Sequence, residues 1–205
     1  MAETIKTFST SIFNNNPWLA TFIIAMLPIF ELRGAIPFGM STQIWGVKAL
    51  TSAHSFFTSL LATTLIIPLI AIIFIPTINW LKSTKHFKTL AQKFENRIKT
   101  KTSSITNHGN NKLKKLLGIF MFVAIPLPLT GVYTGTCIAV MAGLNFYEIL
   151  LSVGTGNLVA GILTLLISTI FKNNTIIVIV GFIILTLLII LLGFLIKKLK
   201  THPAK

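Results

Sequence analysis

The chain has 205 residues, of which 53% are hydrophobic and 11% charged, and a formal net charge of +14. A soluble domain of that length could not hide so much apolar surface, so the composition, with a mean hydropathy of +0.83, describes one compact multi-pass, all-α membrane domain. The excess of Lys and Arg does not point to nucleic acid: it crowds into 82–115 and 197–205, as positive-inside topology requires, without any zinc or aromatic-plus-basic binding pattern.

Residues 1–16 carry Ile5, Phe8 and Ile12 at helical spacing, which predicts either a short helix on the membrane surface or a frayed terminus, ended by Asn14-Asn15-Asn16-Pro17. No small-residue cleavage site follows the first charges, so the first apolar segment is expected to be retained. That segment, 18–30, covers only roughly 20 Å as a helix against a hydrocarbon core of roughly 30 Å. It ends in Glu31-Leu32-Arg33-Gly34-Ala35-Ile36-Pro37, a charged stretch broken by Gly and Pro, after which apolar texture resumes over 38–47. A half-helix, an irregular tip at 31–37 and a returning half-helix would make a re-entrant hairpin. A single kinked helix spanning 18–48 is the alternative.

Residues 55–81 hold no charge and are long enough for one tilted span, bent at Pro68 and Pro76. The basic segment 82–115 follows, and within it Phe87, Leu90, Ala91, Phe94 and Ile98 form an apolar stripe under a cationic face. This predicts an interfacial helix on the anionic cytoplasmic leaflet, whether it captures acidic lipid headgroups or only fixes orientation. Residues 102–111 read as a polar linker.

Residues 116–147 are uncharged, too long for an ordinary span, and broken near their middle by Pro126, Pro128, Gly131 and Gly135, which predicts two half-helices. Runs 149–171 and 173–196 have spanning length. Three crossings between the two basic regions would place them on opposite faces, whereas a second re-entrant hairpin keeps both cytoplasmic. The expected plan is therefore two opposed hairpins plus about three transmembrane helices, in inverted repeat, within one plasma-membrane domain (1–81, 82–115 and 116–205). Gly34 and Gly131 are expected to mark the equivalent turn in each half.

Glu31 and Arg33 are the ionisable groups at membrane depth. Two apart on a regular helix, their side chains diverge, so each is expected to seek a partner elsewhere or to pair in an irregular tip. Arg33 suits a phosphate or carboxylate through its forked donors, and Glu31 suits a proton; the alternative is a structural ion pair locking the hairpin. Thr130, Tyr133 and Thr134 supply hydroxyls, while Gly131 and Gly135 admit close backbone approach, so that an anion could sit between these amides and Arg33. Pro37, Gly34, Pro126 and Pro128 shape the two tips. Asn157 could line the cavity or bond another helix, and Glu148 reads as an interfacial end-cap. With few acids, one cysteine and no His/Cys/Asp cluster, neither an enzyme nor a metal or other cofactor is expected.

The 31–37 motif, followed by Pro126-Leu127-Pro128-Leu129-Thr130-Gly131-Val132-Tyr133-Thr134-Gly135, resembles the paired signature of small multi-drug export proteins over nearly the whole chain. More remotely it resembles the DedA superfamily of lipid scramblases and polyprenyl-phosphate transporters. These resemblances imply a transporter of a small-molecule or lipid substrate, such as an anionic amphiphile or a hydrophobic cation, with self-association into a homo-oligomer left open. A non-transporting membrane scaffold is the third alternative.

Overall fold

A computed structural model describes residues 7, 11–83, 111–127, 130–171 and, on a last helical stretch, 177–181, 183–185, 187, 188 and 191. Most of the 1–16 surface helix, the amphipathic stripe of 87–98, Pro128 and much of the 173–196 span lie outside the described residues. Those that are described are helical throughout their regular structure.

Helix α1, Pro17–Ala25, starts where the sequence dictates: the Asn16 side chain accepts hydrogen bonds from the amides of Trp18 (3.1 Å) and Leu19 (3.2 Å), and Pro17 fills the first helical position. A turn at 26–30 containing Pro28 leads into α2, Glu31–Met40. The break therefore lies before the charged motif, and 31–37, expected to be irregular, is helical. Gly34 costs a helix only about 1 kcal/mol and Pro37 removes one bond, while all ten residues of α2 are buried, so tertiary packing overrides local propensity. Short helical turns at Thr42–Trp45 (α3) and Gly46–Lys48 lead to α4, Ser52–Ser83, one continuous helix that contains both Pro68 and Pro76.

In the second half, α5 (Asn111–Ala124) and α6 (Val132–Met141) flank the expected break, and α7 runs from Phe146 to Ile170. Asn145 and Glu148 form a reciprocal capping box at the start of α7, and Glu148 also pairs with Lys112, which makes it the end-cap the sequence suggested. Helices α4, over Ser52–Ile78, and α7 are each long and apolar enough to cross a bilayer. Their outward faces expose Leu61, Leu65, Leu69, Leu151, Leu158 and Leu166, a surface suited to acyl chains and not to water.

Packing follows one scheme in both halves. Helices α1 and α2 pack on each other and on α4; α5 and α6 pack on each other and on α7; α4 crosses α7; and α2 meets α7 as α6 meets α4. Thr63 lies against Asn157 and Phe56 against Gly161, so α4 and α7 run antiparallel. The Trp18 and His54 rings, 4.8 Å apart, bring the start of α1 to the start of α4. At the start of α5, Lys112 reaches Glu148 of α7, and Lys115 donates to the carbonyl of Ala142 just past α6 (2.9 Å). The largest buried cluster joins Ile67 of α4, Val123 of α5, Val132 and Ala139 of α6, and Ile149 and Val153 of α7.

Candidate functional site

Glu31 is the first residue of α2 and sits at φ +46°, in the left-handed region that a residue with a side chain enters at a cost of about 1–3 kcal/mol. That conformation swings its carboxylate toward Arg33 two residues on, and Nη1 donates to Oε2 at 2.7 Å with both side chains almost wholly buried. The divergence expected at this spacing holds for regular helix, which Glu31 is not.

The pair also reaches the other half of the molecule. Arg33 Nη2 donates to the carbonyls of Val123 (3.1 Å) and Ile125 (3.3 Å) and to Thr130 Oγ1 (3.3 Å). Val123 lies in the last turn of α5 and Ile125 directly follows the helix, where the end carbonyls carry partial negative charge and lack helical donors. The Glu31 carboxylate faces the amides of Val132 and Tyr133, the latter at 3.5 Å, at the positive start of α6. A guanidinium thus closes one half-helix and a carboxylate opens the next, so that the pair bridges the break between α5 and α6. Thr130 Oγ1 lies 2.9 Å from the carbonyl of Ile125 and 2.8 Å from that of Leu127, closing the same turn. The Tyr133 hydroxyl donates to the carbonyl of Met26 in the first turn, tying the two breaks together.

Gly131 is where this arrangement is tightest: a Cβ there would collide with the Glu31 carboxylate. Gly135, within α6, packs on Val153 and on Val123, the residue whose carbonyl accepts from Arg33. Gly34 lies against the Phe30 side chain, where a Cβ would stand 2.9 Å from the ring. Pro37 is buried inside α2, and the Thr134 hydroxyl is 3.4 Å from the carbonyl of Gly131. The equivalence of Gly34 with Gly131 does not hold either. Both α2 and α6 are ten residues long, and Gly34 and Gly135 are the fourth residue of each, whereas Gly131 precedes its helix.

Asn157 is buried and donates from Nδ2 to Thr63 Oγ1 at 2.8 Å across α4 and α7. Thr63 was legible only as one hydroxyl in an uncharged span. The carbonyls of Val123, Ile125 and Met26 carry no sequence signal at all. Within the charged pair one donor is left over: Arg33 Nε is buried and has no hydrogen-bond partner among the described residues.

A family model described as "Putative small multi-drug export protein" matches residues 31–163, beginning at the very carboxylate of the pair. No curated protein and no solved structure matches the chain.

Proposed function

The chain belongs to the small multi-drug export family, and from that premise we propose that it is a proton-coupled membrane transporter for an anionic amphiphile, its headgroup taking the place now held by Glu31. The observation that carries this reading is the nature of the Glu31 seat. A guanidinium and two amides at a helix start make an anion site, and the occupant is the protein's own carboxylate. Protonation of Glu31 removes that occupant's charge and leaves Arg33, with its unused Nε, available to a phosphate or carboxylate. Restoring the Glu31 charge expels the substrate, and proton movement is thereby coupled to release.

The membrane plan belongs to the same proposal. The paired starts Trp18 with His54 and Lys112 with Glu148, together with antiparallel α4 and α7, support two re-entrant hairpins entering from opposite faces. The exchange symmetry of the packing supports an inverted repeat, and Thr63 and Asn157 each stand eleven residues past the first residue of their helix. Sided labelling of single cysteines in a Cys137-free background tests the topology: residues near 52 and near 146 should react from opposite faces, and reaction from one face overturns it.

The family description favours a second reading, export of hydrophobic cations, in which Glu31 binds substrate and Arg33 is the displaced partner. Flux of a labelled alkyl phosphate and of a lipophilic cation into proteoliposomes, with and without a proton gradient, separates the two. The anion reading expects Arg33→Gln to abolish phosphate flux and Glu31→Gln to remove its pH dependence. Loss of cation flux in Glu31→Gln, with no phosphate flux in the parent, overturns it.

A further inference from the structure

An apolar cavity of about 340 Å³ lies beside the second break, lined by Pro126 there, by Ile167 and Phe171 at the end of α7, and by Ile177, Val178, Gly181 and Leu185 of the last helical stretch. Its volume falls within the roughly 300–1,000 Å³ of small-molecule sites, and the described residues that line it carry no charged side chain and no hydroxyl, a lining suited to hydrocarbon. Its position gives it a second meaning. Pro126 follows directly on Ile125, whose carbonyl accepts from Arg33, so one lining residue of the cavity is joined by a single peptide bond to a residue of the charged seat. The last helical stretch supplies part of the lining, and its Ile179 packs against the cluster of Ala20, Phe38, Ile44 and Trp45 in the first half.

We propose that this cavity is the tail groove of the transported amphiphile, holding a single hydrocarbon chain whose anionic head sits on Arg33. The inference rests on the anion reading above and extends it to a substrate class: one charged head on one chain, not a polycyclic cation. A bilayer lipid gains nothing from hydrophobic transfer between membrane and groove, because both are apolar. What selects the occupant is the tether between chain and head, with the chain leaving the Arg33 seat at Pro126.

Gly181 allows the groove to be filled without breaking the fold, since a Cβ there meets nothing within 4 Å; the same holds for Gly154 on α7, away from the groove lining. The test uses the full-length protein in liposomes and an alkyl phosphate with a diazirine at the chain end. After illumination, peptide mapping should place the label on 167–171 and 177–185. Gly181→Phe should reduce that labelling to the level given by an alkyltrimethylammonium of equal chain, whereas Gly154→Phe should not change it. Arg33→Gln should remove it as well. Label on the groove that survives Arg33→Gln, or that the cation gives equally, overturns the tether. Label elsewhere, together with Arg33-dependent protection by inorganic phosphate, overturns the groove while the anion seat stands.

Discussion

Replacing Gly131 by Ala puts one methyl carbon onto the Glu31 carboxylate. The backbone at Gly131 has φ −84° and ψ −159°, an extended conformation that Ala adopts freely, so conformational entropy alone makes the substitution stabilising by about 0.4–1 kcal/mol. The structure reverses that sign. To admit the Cβ the carboxylate must leave its seat, which strips a buried guanidinium of its counter-charge at about 3–5 kcal/mol, for a net loss of about 2–4 kcal/mol. Equilibrium unfolding in mixed micelles measures this, with Gly118→Ala and Gly154→Ala as controls where a Cβ meets nothing within 4 Å. In a Glu31→Ala background the Gly131→Ala step should cost nothing further. A Gly131→Ala protein as stable as the two controls would refute the contact.

Tyr133→Phe removes the hydroxyl bonded to the Met26 carbonyl and should cost about 0.5–1.5 kcal/mol by the same unfolding assay, with accelerated hydrogen exchange confined to 26–30 and 130–134. Asn157→Ala loses the bond to Thr63 and should cost about 0.6–1.7 kcal/mol in the same unfolding assay. Asn16→Ala should destabilise α1 by about 0.5–2 kcal/mol, read as faster exchange of the Trp18 and Leu19 amides, while leaving 111–170 unchanged. In flux assays, uptake driven by an inward proton gradient should rise as the outer pH falls and lose that dependence in Glu31→Gln.

Much of the architecture was written in hydropathy. The uncharged runs marked the two long helices, and Pro126, Pro128 and Gly131 marked the second break, which falls between Ala124 and Val132. The first break was misplaced for a physical reason: Gly34 and Pro37 weaken a helix locally, but complete burial of α2 outweighs them, and the chain breaks at Pro28 instead. The charged pair stood out in the sequence, since nothing else ionisable stands between Lys6 and Lys48. Their division of labour was not. It depends on a left-handed Glu31 and on the carbonyls of Val123 and Ile125, and backbone groups look the same at every position of a sequence.

Glu31 and Arg33 serve helix ends of opposite sign, and exchanging them tests that claim most directly. A Glu31→Arg, Arg33→Glu double variant keeps the pair and its mutual attraction, yet turns a guanidinium toward the α6 amides and a carboxylate toward the α5 carbonyls. Measured by unfolding in mixed micelles, the exchanged protein should be at least as destabilised as either single Ala variant. Recovery to the parent's stability would show that the two charges need only each other, and the bridging role would be contradicted.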